Sequence, residues 1–388
     1  MLPLDHIKVI DLTRARSGPT CVRLLSQMGA DVIQIEVPGT EENIMTGRHH
    51  YDYQNLHVNK RNLTLNLKTE AARQVLLRLV QRSDVLVENF RPDVKHRLKI
   101  DYDTLAEVNP RLVYASISGF GQTGPDRDRP GLDQIAQGMS GVMTVNGAPG
   151  GGPMRVGLPI ADLSAGFMAA YGVAVALLER ERSGCGQWVH TSLLQAMIHT
   201  MEFQAVRWLM ADEVPQQVGN NHPIQAPTGV YQASDGRIII QAAGQTMFTR
   251  LCNAIEAPEL LADPRFANMR DRFTHRAVLD AEIDKRIGMR TMADWMRLLA
   301  EVGVPAGPIL NVEQCFENEQ VQTLPVRAMV HHPMLGDITL MGPGVNLART
   351  PASIRTPAPE QGQHTAEILS EIGYSEAEVA ALQQQGAV

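Results

Sequence analysis

One aspartate stands where a carboxylate could do covalent chemistry. Asp162 shortly precedes an apolar stretch at residues 165–178 and follows the glycine-rich segment 147–153. At the start of a helix, an aspartate accepts main-chain N–H bonds and interacts favourably with the helix dipole, so an ordinary N-cap is one interpretation. A carboxylate beside a glycine-rich loop also suits nucleophilic attack on an activated acyl group. Spacing does not decide between the two.

Three basic segments offer sites for an anionic ligand. Arg14 and Arg16, with Ser17, lie at the first turn between a predicted strand and a predicted helix. This turn suits a diphosphate or is an ordinary turn with solvated arginines, and it lacks the GxGxxG pattern of a dinucleotide site. Segment 59–68 suits a phosphate and adenine, or is a charge-guarded edge strand. Segment 88–92 follows a strand, where doubly wound folds bind ligands.

Histidine and cysteine patterns argue against other chemistries. The pairs His49-His50 and His331-His332 are neighbours in sequence, and neighbouring side chains diverge, which disfavours metal binding. The four cysteines lie far apart without a CxxC pair, as expected for reduced thiols. No GxSxG motif supports a serine hydrolase.

Alternating strands and helices are expected to position these residues. The spacing of apolar residues predicts strands at 8–12, 31–36, 85–88 and 112–117, and helices at 19–28, 70–80, 103–108 and 162–180. Short strands joined by helices indicate a parallel, doubly wound sheet, and hence a Rossmann-like α/β fold.

Length and composition bound the organisation of the chain. Its 388 residues, 44% of them hydrophobic, indicate two domains with packed cores. We expect a discontinuous large domain of residues 1–210 with 320–388. A smaller α+β domain is expected at 228–310, with linkers at 211–227 and 311–319.

The charge balance limits the partners. Lys and Arg number 35 against 42 for Asp and Glu, a net charge of −7, and no basic block stands out. This composition disfavours nucleic-acid binding. The apolar run at 165–178 is shorter than the roughly 20 residues of a membrane-spanning helix, and the N-terminus lacks a signal-peptide core. We therefore expect a soluble, cytoplasmic protein that does not bind membranes.

Eight motifs in order resemble the class III CoA-transferases, the family of formyl-CoA transferase and the carnitine and bile-acid enzymes. The motifs are VIDLTRARSGP (9–19), GADVIQIEVPG (29–39), NKRNLTLNLK (59–68), DVLVENFRP (84–92), NPRLVYASISGFGQTGP (109–125), ADLSAGFMAA (161–170), GQWVHTSLLQAM (186–197) and GQHTAEILSEIGYS (362–375). Together they cover almost the whole chain. They are specific for the superfamily and far less so for a substrate.

The resemblance implies a reaction and an assembly. Asp162 matches the family nucleophile, which forms a mixed anhydride with the acyl group and then an aspartyl-CoA thioester. Coenzyme A is a substrate in this reaction, so no permanently bound cofactor, metal or redox group is expected. The family folds as an interlocked homodimer with its active site between the large and small domains.

The resemblance also assigns candidate binding residues. Those for CoA are Arg16, Ser17, Leu65, Lys68, Asn89, Phe90, Arg91, Arg97 and Gln134. Three departures indicate a generic member rather than a formyl-CoA transferase. Val37 replaces a basic residue, Arg16 replaces a glutamine, and a glycine-only loop is missing near 219–223. The cationic run Arg48, His49 and His50 is a candidate anchor for the second carboxylate of a dicarboxylic acid, or a solvated loop.

Two alternatives are weighed against a transferase. The superfamily includes α-methylacyl-CoA racemases, which use a histidine in a Gly-His-Asp run. Here that run is Gly131-Leu132-Asp133, and a leucine cannot exchange a proton. A CoA-binding protein without turnover would be expected to lack the Asp162 carboxylate, which is present.

Overall fold

The computed structural model describes residues 1–39 and 47–388. Backbone contacts divide the chain into a first unit of Met1–Met143, Arg155–Val214 and Thr323–Val388, and a second unit of Thr144–Met154 and Pro215–Gln322. The first unit is therefore discontinuous in sequence.

Three sheets organise the described chain. A six-stranded sheet has the order β3-β2-β1-β4-β5-β6, and two smaller sheets have the orders β7-β8-β9 and β10-β11. The strands are β1 (Lys8–Asp11), β2 (Asp31–Glu36), β3 (Lys60–Thr64), β4 (Val85–Glu88), β5 (Val113–Ser118), β6 (Trp188–Ser192), β7 (Thr228–Ala233), β8 (Gly236–Gln241), β9 (Ala306–Pro308), β10 (Arg327–His332) and β11 (Gly336–Met341).

Helices connect most of these strands. They are α1 (Ser17–Gln27), α2 (Tyr51–Leu56), α3 (Glu70–Val80), α4 (Pro92–Leu98), α5 (Tyr102–Val108), α6 (Asp133–Met139), α7 (Val142–Val145), α8 (Ile160–Ser183), α9 (Leu193–Thr200), α10 (Phe203–Ala211), α11 (Gln245–Ala254), α12 (Glu259–Ala262), α13 (Met269–Thr274), α14 (Arg276–Ile287), α15 (Met292–Glu301), α16 (Val312–Glu317), α17 (Glu319–Thr323), α18 (Thr365–Glu371) and α19 (Glu376–Gln384). A 3₁₀ turn covers Pro264–Phe266.

Each face of the six-stranded sheet has its own apolar core. Successive side chains of a strand point to opposite faces, so Val9 and Ile10 of β1 enter different cores. Val9 packs in the core that includes Ala165 of α8. Ile10 packs in the core that includes Leu76 of α3 and Ile368 of α18. All strand pairs in this sheet are parallel, which confirms the predicted doubly wound, Rossmann-like fold.

The strand order defines where a ligand would bind. β1 lies between β2 and β4, and the chain winds outward from β1 in both directions. In doubly wound folds, the crevice at this reversal point, beyond the carboxyl ends of the strands, is the usual ligand site. The residues that follow β1 and β4 are therefore placed at the edge where chemistry is expected.

The second unit is a smaller α+β unit. Its sheet is antiparallel, with β7 and β8 joined by a tight turn at Asp235-Gly236. Phe248 of α11, Ile283 of α14 and Trp295 of α15 belong to its buried core. The expected smaller α+β unit is thus present.

Helix α8 is buried on one face only. Its 24 residues are long and apolar enough to cross a membrane by length and composition, but half of its most apolar window is buried within the protein. Such burial is typical of a core helix. The opposite face carries exposed apolar side chains: Phe167, Tyr171, Val175 and Leu178.

Strand β3 differs from its prediction. The sequence indicated an apolar strand with cationic ends, but the strand covers Lys60–Thr64 and Lys60 is buried within it. Lys60 enters the interior because its Nζ forms an ion pair of 2.8 Å with Asp11 at the end of β1. Leu65 and Lys68 lie beyond the strand. β3 is an edge strand, as one of the two interpretations expected.

Candidate active site

The turn that follows β1 is held by a buried carboxylate. Oδ1 of Asp11 accepts hydrogen bonds from the main-chain N–H of Thr13 at 2.9 Å and from its hydroxyl at 2.6 Å. Ala15 then adopts a φ of +59°, in the left-handed region that favours glycine. Backbone strain of this kind is common at functional sites. The turn directs Arg14 and Arg16 toward the reversal point of the sheet.

The loop that follows β4 is tied to this turn. Oδ1 of Asn89 accepts the main-chain N–H of Arg14 at 2.9 Å, and its Nδ2 donates to the Arg14 carbonyl oxygen at 2.7 Å. Glu88 is fully buried, accepts the Phe90 N–H at 2.8 Å, and pairs with Lys95 at 3.0 Å. Burial raises the pKa of Glu88, and the Lys95 charge opposes that increase. The two loops therefore form one polar assembly.

Asp162 lies in the first turn of α8 but does not cap it. The N-cap residue is Pro159, which provides no side-chain hydrogen bond, and Asp162 is the third residue of the helix. Oδ1 of Asp133 accepts the N–H groups of Ala161 at 2.8 Å and Asp162 at 3.3 Å. The interpretation of Asp162 as an N-cap is therefore wrong, because Asp133 on α6 supplies the capping carboxylate and leaves that of Asp162 available.

The surroundings of Asp162 perturb its titration. Burial raises the pKa of this carboxyl from 3.8 to about 6, and the negative charge of Asp133 acts in the same direction. The Arg16 guanidinium and hydrogen bonds from the Ser17 side chain and main chain oppose this increase. Near neutral pH the group is mostly ionised, partly desolvated and beside a cation. These are properties of a carboxylate nucleophile.

A cavity of about 640 Å³ in the first unit has Asp162 in its wall. The ion pair between Arg16 and Asp52, with a separation of 2.6 Å, also lines it. Arg48 contributes a second guanidinium, which pairs with Glu36 at 2.5 Å. We refer to this space as the aspartate cavity. It combines the Asp162 carboxylate with three guanidinium groups, those of Arg14, Arg16 and Arg48, that could receive carboxylate groups.

A second cavity, of about 780 Å³, adjoins the first. Arg14, Ile35, Glu36 and Val37 line both spaces. The second cavity also has a surplus of cationic side chains: Arg14, Lys68, Arg73, Arg97 and Lys99 against Glu36 and Glu70. We refer to it as the basic cavity. A ligand with an anionic end and a reactive end would fit across the pair.

The structure distributes the residues assigned from the sequence between these spaces. Leu65, Lys68, Phe90 and Arg97 line the basic cavity, and Arg16, Arg48 and Asp162 line the aspartate cavity. Ser17 is buried against Asp162, and Asn89 joins the two loops. Arg91 and Gln134 line neither of these two cavities; Arg91 lies near Asp93 on the surface, and Gln134 is exposed on α6.

Arg48, His49 and His50 do not form one cationic face. Arg48 is 4% exposed and also donates to the Pro359 carbonyl oxygen at 2.7 Å. His49 bonds to Glu360 at 2.8 Å, and His50 caps helix α2 through Nδ1. Neither histidine lines the aspartate cavity. The expectation of a solvated loop fails for Arg48, because its guanidinium is buried among internal partners.

Among the described residues, one cluster brings together groups that could ligate a metal. His49, His332 and Glu360 place their ligand atoms within 4.8 Å of one another. However, Nδ1 of His332 accepts main-chain N–H groups from Met334 and Leu335 at 3.1 and 3.3 Å. This fixes the proton of the neutral ring on Nε2, the atom that would have to bind the ion. The donor set therefore does not fit a metal.

Two features around Asp162 were missed from the sequence. Asp133 was not predicted to cap α8, although a carboxylate 29 residues before Asp162 follows a glycine-rich loop. Gly166 lies one turn after Asp162 on the same face of α8. A Cβ atom built on Gly166 would be 2.7 Å from the Ser17 carbonyl oxygen and 2.8 Å from Cβ of Thr20. The absence of a side chain thus lets α1 approach the helix that carries Asp162.

Replacing Gly166 tests this close approach. We expect Gly166→Ala to push α1 away from α8, because the obstructing atom at Ser17 belongs to the backbone. Overpacking of this type costs about 1–3 kcal/mol in the free energy of unfolding, which urea denaturation measures. Catalytic turnover should fall as well, since Ser17 would move away from Asp162. Gly157→Ala is the matched control, because no atom lies within 4 Å of its Cβ position. Equal behaviour of the two variants would contradict the packing argument.

Comparisons with known proteins agree with this geometry. The model of CoA-transferase family III matches residues 4–365. The chain is 39% identical to the acetyl-CoA:oxalate CoA-transferase of Acetobacter aceti over 80% of this chain and 82% of that protein. It is 35% identical to the succinyl-CoA–D-citramalate CoA-transferase of Chloroflexus aurantiacus, over 98% and 97% of the two chains.

A solved structure has the same fold. The CaiB/BaiF family protein from Brucella suis is 31% identical, with a TM-score of 0.83 over 96% of this chain and 99% of that one. Together with the paired cavities and the carboxylate in the first turn of α8, these matches confirm the resemblance found in the sequence. The chain therefore belongs to CoA-transferase family III and is an enzyme of that class.

Proposed function

We propose that this enzyme transfers CoA from an acyl-CoA to a free carboxylic acid by covalent catalysis at Asp162. The carboxylate in the wall of the aspartate cavity, with its pKa raised to about 6, is the observation that carries the proposal. Ionised at neutral pH yet partly desolvated, it can attack a thioester carbonyl without a separate base. Arg16 lies beside it and can stabilise negative charge that develops during the attack.

The reaction then proceeds through four exchanges at one carboxylate. Asp162 attacks the acyl-CoA carbonyl and expels CoA thiolate, which gives a mixed anhydride. The thiolate attacks the aspartyl carbonyl, releases the donor acid as a carboxylate, and leaves an aspartyl-CoA thioester. The acceptor carboxylate attacks this thioester, forming a second anhydride and thiolate. The thiolate attacks the acceptor's carbonyl, which yields the new acyl-CoA and frees Asp162.

The two cavities divide the CoA molecule between them in this proposal. The cationic side chains of the basic cavity, among them Lys68 and Arg97, suit the phosphate groups, and Leu65 and Phe90 provide apolar contacts for the adenine. Val37 lies at the junction of the cavities, so the chain between the phosphates and the thiol would pass over it. This path brings the thioester toward Asp162.

A mass-spectrometric screen tests the proposed reaction. Purified enzyme is mixed with acetyl-, formyl-, propionyl- or succinyl-CoA and a panel of mono- and dicarboxylic acids. We expect new acyl-CoA masses for at least one pair, and hydroxylamine should trap the aspartyl thioester as a hydroxamate on the peptide that contains Asp162. Deuterium uptake at the α-carbon of a 2-methylacyl-CoA, without any new thioester, would contradict transfer and favour a racemase despite Leu132.

The acid that accepts CoA is proposed to be a dicarboxylic acid. The relatives named above act, by their names, on oxalate and on succinyl and citramalate groups. In this chain, two of the three guanidinium groups that line the aspartate cavity, those of Arg16 and Arg48, bind internal carboxylates at Asp52 and Glu36. A substrate carboxylate could exchange with one of these partners, and Arg48 is the proposed anchor.

Arg48→Ala tests that anchor. We expect the KM for a dicarboxylic acceptor to rise about tenfold or more, and the KM for a monocarboxylic acceptor to change little, since one charge-assisted hydrogen-bonded pair is lost. The double variant Arg48→Ala/Glu36→Gln serves as a control, because it does not strand the Glu36 charge. Equal KM increases for both acids in the double variant would contradict an anchoring role.

A homodimer is part of the proposal. The exposed face of α8 repeats apolar residues at intervals of four, four and three, which places them on one side of the helix. Helix α10 exposes a further apolar group: Val206, Trp208, Leu209 and Met210. An apolar surface of this extent favours a protein partner, and the family suggests a second copy. Light scattering that gives a monomer mass at micromolar concentration would contradict it.

A further inference from the structure

Asp133 reaches Asp162 through a loop that folds back on itself. A Cβ atom on Gly119 would lie 2.7 Å from Cα of Gly131, and one on Gly131 would lie 2.6 Å from Cα of Gly119. Neither position tolerates a side chain, so the backbones cross directly. Because of this crossing, α6 begins next to the carboxyl end of β5. Asp133 is the first residue of α6.

The carboxylate of Asp133 is held on both oxygens. Oδ1 accepts the N–H groups of Ala161 and Asp162, and Oδ2 accepts Nε2 of Gln137 at 2.7 Å. Gln137 is fully buried, and its Oε1 accepts the N–H of Val156 at 2.9 Å. The first N–H groups of a helix have no partner within the helix, and a negative charge there is favourable. Asp133 therefore fixes the turn of α8 that carries the nucleophile.

We propose that Asp133 is a positioning residue for Asp162. It holds the first turn of α8, and it places a second negative charge opposite the nucleophile. The inference rests on the proposed function, in which Asp162 is the nucleophile. Asp133 lines neither cavity and so is not assigned contact with CoA. Asp133 therefore acts on Asp162 through the main chain of α8 and through the interaction between the two carboxylate charges.

The groups around Asp162 define what Asp133 contributes to its ionisation. Asp133 on α6 raises the pKa of Asp162, while Arg16 before α1 and Ser17 in α1 lower it. Without the Asp133 charge, burial still raises the pKa of Asp162, and Arg16 and Ser17 still lower it. The Asp162 carboxyl then loses its proton at lower pH. The less basic carboxylate is also a weaker nucleophile toward a thioester.

Asp133→Asn removes the charge and keeps the hydrogen bonds to the start of α8. The amide oxygen can still accept the N–H groups of Ala161 and Asp162, whereas the amide NH₂ takes the place of Oδ2, so the bond from Nε2 of Gln137 is lost. We expect the acid limb of the kcat/KM profile for acyl-CoA to move to lower pH by about half a unit to one unit. Asp133→Ala removes the hydrogen bonds as well, and kcat should fall about 100-fold, because small displacements of a reacting group are costly. In both variants the affinity for CoA itself should stay within about twofold of wild type, since the basic cavity is intact.

Asp128→Asn is the matched control. Asp128 lies in the same loop between β5 and α6, is exposed, and pairs with Arg127 on the surface. Its variant should keep the wild-type pH profile. An acid limb in Asp133→Asn that coincides with that of Asp128→Asn overturns the positioning role, and this readout remains decisive if Asp133→Ala does not fold.

The same set of variants separates this inference from the function on which it rests. If Asp162→Ala is inactive and the limb of Asp133→Asn does not move, only the positioning role is overturned. If Asp162→Ala retains transfer, the nucleophile is elsewhere, and both proposals fail. A shifted limb with an inactive Asp162→Ala supports both.

Discussion

Replacing Asp162 by alanine is expected to lower kcat for CoA transfer by about a thousandfold or more, the range seen when a catalytic nucleophile is removed. The reason is structural as well as chemical. The carboxylate lines the cavity, and Arg16 lies beside it. In the proposed mechanism, no acyl-enzyme can form without the Asp162 carboxylate. The measurement is the rate at which a new acyl-CoA appears by mass spectrometry, together with CoA affinity by calorimetry, which should be retained.

Asp162→Asn is the control that separates loss of activity from loss of folding. The pKa of Asp162 is raised from 3.8 to about 6 in the folded protein, so the folded state binds the proton more tightly than the unfolded state. The stability of the protein therefore falls as pH rises from about 4 to about 6 and stays lower above that. Asparagine avoids this effect, so this variant should be more stable than wild type at pH 7 by up to about 2 kcal/mol.

The gain in stability should disappear below about pH 4, where the aspartate is protonated in both states. Urea denaturation at pH 7.5 and pH 4 measures the difference. If the variant is less stable than wild type at pH 7.5, the carboxylate has a structural role that outweighs its cost. If transfer persists at more than about one hundredth of the wild-type rate, Asp162 is not the nucleophile.

Lys60→Met is expected to lower the free energy of unfolding by about 3–5 kcal/mol, because it leaves the buried charge of Asp11 without its partner. The side chains of Lys60 and Asp11 are both fully buried, and their charged atoms are 2.8 Å apart. Nζ of Lys60 also donates to Nδ1 of His57 at 3.1 Å. Burial and the Lys60 charge lower the pKa of His57 well below its usual value, so its ring is neutral and can accept.

Lys60→Met should also lower the catalytic activity. Asp11 holds Thr13, and the turn after Thr13 positions Arg16 and Ser17 beside Asp162. A displaced Asp11 would therefore disturb the aspartate cavity before the protein unfolds. Turnover should fall at temperatures where circular dichroism still reports a folded protein. This would distinguish the loss of the turn from global unfolding.

Two controls accompany Lys60→Met. Arg73→Met breaks the exposed ion pair with Glu70, and such pairs contribute no more than about 1 kcal/mol. The double variant Lys60→Met/Asp11→Asn removes the stranded charge and should recover part of the lost stability, as measured by the midpoint of urea denaturation. If Lys60→Met loses no more stability than Arg73→Met does, the buried pair contributes little to the free energy of unfolding.

Local pattern was sufficient for several elements of the first unit. The predicted bounds of β2, α3 and β4 agree with the structure, because each has a continuous periodic signal ended by polar or glycine residues. The pattern failed at β3, where the strand begins at Lys60 rather than at the leucines. A lysine within a strand is normally a signal of exposure. Its burial depends on Asp11, which is 49 residues away in sequence.

The candidate site, too, was predicted only in part from the sequence. The order of motifs along the chain was enough to identify the family and to select Asp162, since sequence similarity preserves chemistry at matched positions. The role of Asp133 was not accessible in this way, because it requires the crossing of Gly119 and Gly131. Arg48 was expected to anchor a substrate carboxylate or to lie in a solvated loop, and its burial depends in part on the carbonyl oxygen of Pro359, 311 residues away.

Periodicity predicted many of the strands and helices of this chain, because those elements depend on residues close in sequence, and the resemblance of eight motifs indicated the type of reaction. Which charges are buried and which carboxylate caps α8 depended on contacts between residues tens to hundreds of positions apart. Burial and electrostatic pairing are properties of the folded interior, and no local pattern encodes the partner.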